Sequence, residues 1–426
     1  MTKKTLLGNA CWAVAALSAY WVGSSGQRSA DSIRPVLSES VAGMTLDPSR
    51  TSKTSLLPSA RDVIADTGMI SEMFENASLK DASWETLAQQ AVRDPNPIKR
   101  RLAFSKLLEA LTPENALEIR EQLVSFGAEG DQWRDFSYAW GALAGEEAFL
   151  FASNSKERDM EAAVAGWASA NPREALAMLD NLPEELKGQR DQLAQSVVEG
   201  LSDRDRVSAT DLVLRLAAEG MDKPEKLIAI VANDALRVDG PETAARWSES
   251  LPDGPLKGAA MQRIAGEFVE RDAEAAARWA EAVADQDYAA RVIEEVGKRW
   301  AVRNPVDAVG WLETLPEGQG QKSGLGSAFG DWEDRDPYAA TEYLSKMSDS
   351  AQRDAAISGF SRGYAWQDPE AAIAWAQDIS DPALRQESLT RAGQIFFRRD
   401  PASATNWLEG SGLPPQTLEA ILKPRS

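Results

Sequence analysis

The chain has no histidine, and its 426 residues include one cysteine, Cys11. Without imidazole there is no Ser-His-Asp or Cys-His catalysis, no histidine general base and no His-ligated metal. A lone thiol excludes an internal disulfide and a thiolate cluster. No catalytic, cofactor-binding or metal-binding residue is therefore assigned, no cofactor is expected, and the binding residues are left unassigned. Positive charge is also scarce, with 46 Lys and Arg against 66 Asp and Glu and a net charge of −20. Residues 1–58 hold six of the basic and three of the acidic residues, so the remainder carries −23. A body this acidic repels phosphate backbones and serves solubility, which argues against nucleic acid as a partner. So little cysteine fits the cytoplasm and the bacterial periplasm equally well.

What is present favours helix and a large core. Hydrophobic residues make up 43% and charged residues 26% of the chain, and Ala, Leu, Glu and Arg, all strong helix formers, are plentiful. One long apolar run stands out, from Leu6 to Val22, behind Lys3 and Lys4 and ahead of Gly23-Ser24-Ser25-Gly26. A basic start, an apolar stretch and small residues form an export signal, and about 18 residues also suffice to span a bilayer. Residues 1–26 are read as a signal peptide, with cleavage after Ser18 or near Ser24, or as an uncleaved anchor. Ala10-Cys11 keeps a lipoprotein open. If the segment is not cleaved, residues 5–23 lie in the membrane, and the positive-inside rule keeps Lys3 and Lys4 cytoplasmic with the body outside. The expected location is the cell membrane with the body in the periplasm, or export to the periplasm. Residues 27–58, rich in Ser, Thr, Gly and Pro, read as a flexible linker, and 59–96 as an N-terminal helical cap.

The body, residues 97–426, is periodic. Asn304-Pro305, Asp336-Pro337, Asp368-Pro369 and Asp400-Pro401 fall 32 residues apart, and the register reaches back to Ala273 and Pro241. With looser spacing it continues through Arg206, Pro172, Gly145 and Pro113. Counting each anchor as position 0, position +3 is alanine in all ten repeats: Ala116, Ala148, Ala175, Ala209, Ala244, Ala276, Ala308, Ala340, Ala372 and Ala404. Position +6 is large, as in Phe151, Trp247, Trp279, Trp311, Tyr343, Trp375 and Trp407, and so is −5, as in Trp140, Trp167, Phe268, Trp300, Trp332, Tyr364 and Phe396. Leu-Pro recurs near +10, at Leu182, Leu251, Leu315 and Leu413.

Each position has a physical reading. Asp or Asn at −1 caps a helix and proline at 0 opens it, where its missing N–H costs nothing. Alanine at +3 admits another helix closely, and +6 lies one turn on along the same face. Leu-Pro stops the helix after about ten residues. The preceding helix runs from about −17 to −3, with an apolar stripe that in the Pro305 repeat is Val292, Ile293, Val296, Gly297 and Trp300. Each repeat is thus a helix–turn–helix that buries its apolar face only by stacking on neighbours. The pattern D-P-x-x-A-x-x-W-x-x-x-L-P resembles bacterial α-solenoid repeat proteins of the TPR/HEAT-like type, without the W-x-x-L-G-x-x-Y start of a true TPR. The resemblance covers about 113–416. It implies an all-α fold, a right-handed superhelix of about ten hairpins, and a non-enzymatic scaffold for a protein or peptide partner.

Several features invite a functional reading and have a plainer one. The fixed positions of the aromatics argue for packing between repeats. Arg204, Arg271, Arg303, Arg335 and Arg399 recur at −2, where they suit a helix C-terminus and pairing along the stack. Gly318–Gly324 resembles a phosphate loop, but Gln321 stands where glycine belongs and no strand precedes it. It reads as a flexible turn before a helix weakened by Gly324, Gly326 and Gly330. Glu146-Glu147, Glu184-Glu185 and Glu294-Glu295 are adjacent, so on a helix they point about 100° apart and do not converge. Glu313, at +8, is expected to lie off the packed face. The competing reading is a periplasmic enzyme acting on carbohydrate or cell wall, with a carboxylate pair drawn from separate repeats.

Overall fold

The computed structural model describes residues 83–154 and 159–422. The signal or anchor, the linker and residues 59–82 of the cap lie outside the described residues. Those described are all-helical, without a strand. They fall into two compact lobes, the chain passing from one to the other between Ala175 and Leu176.

The N-terminal lobe begins with α1 (Trp84–Arg93), α2 (Pro97–Glu109) and α3 (Ala116–Phe126). Ser83 and Asn96 cap the first two by accepting from main-chain N–H groups of the first turn. The sequence places the start of α3 at Pro113, but the helix opens three residues later. Residues 112–115 instead form a side-chain-bonded turn in which Asn115 Oδ1 accepts from the Thr112 N–H at 2.7 Å. The long α4 (Asp131–Ser153) is kinked at Ala144 and Gly145, the anchor at which the sequence divides two helices. Its first half lies backbone to backbone on α5 (Met160–Ala170). A Cβ at Gly141 would overlap the Ala163 carbonyl, and one at Gly166 would overlap that of Tyr138.

The lobe boundary falls inside α6 (Pro172–Asp180). The C-terminal lobe opens with α7 (Arg190–Ser202) and α8 (Arg206–Ala218), of 13 residues each, after which longer and shorter helices alternate: α9 (Glu225–Asp239), α10 (Pro241–Glu249), α11 (Pro255–Arg271), α12 (Ala273–Glu281) and α13 (Ala290–Ala301). The alternation continues through α14 (Pro305–Thr314), α15 (Gln319–Trp332), α16 (Pro337–Lys346), α17 (Ala351–Tyr364), α18 (Pro369–Gln377), α19 (Pro382–Arg399) and α20 (Pro401–Gly410), and α21 (Pro415–Leu422) closes it. From α10 onward each short helix has 9 or 10 residues. Asp272, Asp336, Asp368 and Asp400 cap four of these by accepting from the N–H three residues on. Asn304 makes no such bond, so α14 starts on Pro305 alone.

All ten alanines at +3 are fully buried. A larger side chain would hold the helices apart and forfeit close packing along the interface. The longer helices α9, α11, α13, α15, α17 and α19 pack side by side in sequence order, and the short ones fit mainly between them. Buried Val292, Ile293 and Val296 supply the apolar face of α13, each contributing about 1.5–3 kcal/mol.

Gly318–Gly324 departs from its sequence reading. It is not a loop. Gly318 caps α15 and the rest forms its first turns. The glycines permit close approach: a Cβ at Gly320 would lie 2.9 Å from Ala290 Cα, and one at Gly324 would lie 2.6 Å from Leu312 Cδ2. On the other side, a Cβ at Gly359 of α17 would overlap the Gly326 carbonyl. At Gly320 and Gly326 this helix lies backbone to backbone on its neighbours.

Candidate functional site

Most aromatic positions meet inside repeats; the exception is Trp167, whose ring lies 6.1 Å from Phe149 of the preceding repeat. Position −5 on the longer helix faces +6 on the shorter helix that follows: Trp140 and Phe151 at 5.3 Å, Phe268 and Trp279 at 5.6 Å, Trp300 and Trp311 at 6.1 Å, Trp332 and Tyr343 at 5.6 Å, and Phe396 and Trp407 at 6.0 Å. In the Pro369 repeat Phe360 is interposed, at 5.0 Å from Tyr364 and 5.8 Å from Trp375. These tilted and edge-on pairs clasp each hairpin and add about 0.5–1.5 kcal/mol beyond burial. The period shows that both positions pack, but not whether their partner is 11 residues away or 32.

Contacts between repeats are polar at two places. Arginines at −2 reach back one repeat. Arg303 donates to Glu270 O at 3.2 Å and pairs with the Glu270 carboxylate, and Arg399 donates to Trp366 O at 2.6 Å and Gln367 O at 2.9 Å. Arg335 stands 3.5 Å from Ala301 O, and Arg271 bonds Glu242 Oε1 at 2.9 Å. Arg204 has no such contact among the described residues. The second set, at −16, went unread in the sequence. Gln321 donates to Leu312 O at 3.1 Å and Leu315 O at 2.8 Å, Arg353 to Leu344 O at 3.4 Å, and Arg385 to Ile379 O at 2.7 Å. Each satisfies carbonyls orphaned where a short helix ends. The signal was a polar residue recurring amid an apolar helix.

The adjacent glutamates diverge as expected. Glu294 accepts from Ser327 Oγ at 3.0 Å and Glu295 from Arg299 Nε at 2.7 Å, while Glu146, Glu147, Glu184 and Glu185 are exposed. Glu313 is not off the packed face. It is half-buried and accepts from the Tyr343 hydroxyl of the next repeat at 3.0 Å. Burial, then the Glu313 charge and hydrogen bond, push the Tyr343 phenol up to about 12.

Glu333 departs from the repeat most. Its position, −4, is buried Ala301 in the preceding repeat and buried Ala365 in the following one. Glu333 is 2% exposed. Its carboxylate lies against Gly363, where a Cβ would overlap Oε1, and accepts from Gln367 Nε2 at 3.3 Å. Burial, with Asp334 and Asp331 nearby, pushes its pKa up to about 7. A carboxyl in that range is a candidate proton donor or acceptor, yet its neighbours leave it almost no exposure to solvent.

Exposed apolar residues gather elsewhere. Seven large hydrophobics are exposed in the C-terminal lobe, and all but Leu422 sit at −3 or +1, beside the turn from longer to shorter helix: Val207, Val238, Val302, Val306, Tyr338 and Trp366. On α18 a shallow open depression of about 470 Å³ is lined by Ala371, Ala374, Trp375, Gln377 and Asp378. Among the described residues no group of three or more Cys, Asp or Glu is placed to hold a metal ion, and no helix is long and apolar enough to cross a membrane. No family model, no curated protein and no solved structure matches this chain.

Proposed function

We propose that the protein is a right-handed α-solenoid of about ten hairpins, resembling TPR/HEAT-like scaffolds, and that it binds a protein or peptide partner without catalysing a reaction. The observation that carries this reading is the stacking itself. Longer helices pack side by side while shorter ones fit between them, a construction that extends a surface instead of enclosing a cavity. The polar groups that recur along it, at −2 and −16, turn inward onto neighbouring main chain. The N-terminal segment is the anchor or export signal, and the body lies outside the cytoplasm.

Chemical crosslinking and affinity capture of the full chain from membrane extracts tests this. The expected result is a protein recovered in comparable amount to the bait. Release of reducing sugars from cell-wall or polysaccharide substrates by the purified chain would replace this reading with the carbohydrate enzyme. Protease added to spheroplasts is expected to digest the body, and full protection would overturn the topology.

A further inference from the structure

Three consecutive repeats present an apolar edge with a sign of charge. Turns of successive repeats lie side by side, since Arg303, Arg335 and Arg399 each reach the turn before their own. Along that line Val302 and Val306 of the Pro305 repeat are 43% and 55% exposed, Tyr338 of the next is 87% exposed, and Trp366 of the third is 57% exposed. Between them stand Asp307, Asp334 and Glu370, exposed and without an ion pair among the described residues. Asp336 and Asp368 are exposed at the same turns, while Arg303 and Arg335 are directed back onto the preceding repeat and Arg399 onto the main chain of Trp366 and Gln367. Net negative charge is thus interleaved with apolar side chains. The aromatic end already receives a cation, for the chain's own Arg398 guanidinium sits 5.8 Å from the centre of the Trp366 ring.

We propose that this edge, from Val302 to Trp366, docks an extended segment of another protein in which Lys or Arg alternates with aliphatic or aromatic residues. The inference rests on the scaffold reading and names its surface and the chemistry of its partner. Apolar contact removes Val302, Val306 and Tyr338 from water, and the unpaired carboxylates meet the basic residues and speed encounter. Stacked helices repeat at about 10 Å. A segment in the extended polyproline II helix rises about 3.1 Å per residue with three residues per turn, so every third residue of the partner points the same way and meets an equivalent place on the edge.

The probes are three labelled twelve-residue peptides: Leu-Lys-Ser repeated four times, Ser-Lys-Ser repeated likewise, and Leu-Glu-Ser repeated likewise. The full chain is expected to bind the first at least tenfold more tightly than either of the others. Tyr338→Ser with Trp366→Ser should weaken that binding at least tenfold while the chain stays folded, with no more than a small fall in melting temperature from loss of the Arg398 contact, because both side chains are exposed. Asp307→Asn with Glu370→Gln should weaken it and flatten its salt dependence. Equal binding of the Leu-Lys-Ser and Ser-Lys-Ser peptides, or no effect of the Tyr338 and Trp366 substitutions, overturns the proposal. Self-association, or binding to anionic vesicles, that is lost in the double variant overturns it in favour of a second copy or a membrane. Affinity capture separates this failure from that of the scaffold reading. A protein captured equally by wild type and double variant removes the edge and leaves the scaffold, and capture of nothing by wild type, with no peptide bound, removes both.

Discussion

In the N-terminal lobe Trp140 and Phe151 meet across a kink inside one long helix. In the C-terminal lobe Trp300 and Trp311 meet across a turn opened by Asn304 and Pro305. The ring pair and the buried alanine at +3 are kept in both. The means differ. The N-terminal lobe bends α4 at Gly145 and presses it onto α5 through Gly141 and Gly166. The C-terminal lobe uses Asp caps, proline starts and polar side chains reaching one repeat back. A hairpin's packing positions can therefore be fixed while its backbone punctuation varies, because burial depends on where a side chain lands and not on how the turn brings it there.

The largest expected effect tests whether the two clasps are equivalent. Trp140 is 1% exposed and Trp311 half-buried, so Trp140→Ala should cost about 3–5 kcal/mol and Trp311→Ala should fall at or below the lower end of that range. Thermal melts of both variants decide it, and equal losses would mean that the kinked clasp is no tighter than the capped one.

Glu333 sharpens the contrast within the C-terminal lobe. Its folded-state pKa is raised to about 7 from 4.5, so the folded chain holds this proton more tightly than the unfolded chain. The stability associated with the protonated carboxyl is fully present below about pH 4.5 and is lost as pH rises through 7, on the order of 3 kcal/mol. Glu333→Gln should therefore stabilise the protein at pH 8, with the gain vanishing towards pH 4.5. Denaturant titrations at the two pH values measure it, and a gain independent of pH would show that the Glu333 carboxyl titrates alike in the folded and unfolded chains.

Overpacking should not distinguish the lobes. Ala340→Leu and Ala148→Leu, both at fully buried positions, are each expected to cost about 1–3 kcal/mol. A silent substitution at either site would end the equivalence of the two registers.

The smallest effects concern contacts between repeats. Glu313→Ala leaves the half-buried Tyr343 hydroxyl without its acceptor and should cost about 1 kcal/mol. A spectroscopic titration should find the phenol lowered from about 12 towards its ordinary value. Arg303→Ala, at an exposed ion pair, should stay within about 0.5 kcal/mol.

The sequence by itself determined the all-helical class, the alternation of long and short helices, the cap at Asp336 or Asp368 and the burial of ten alanines. These are legible because capping, proline geometry and helical period act within a few residues, and repetition amplifies a weak local signal. Only the tertiary structure decided which ring Trp311 meets, that Gln321 and Arg385 reach back to close the preceding helix, and that Gly320, Gly324 and Gly359 are points of closest approach. It alone also placed Glu333 out of water and gathered Val302, Val306, Tyr338 and Trp366 on one edge. Each of these depends on a neighbour from six to thirty-odd residues away along the chain, and on how much water that neighbour excludes. A period names the equivalent positions but does not say which of them touch.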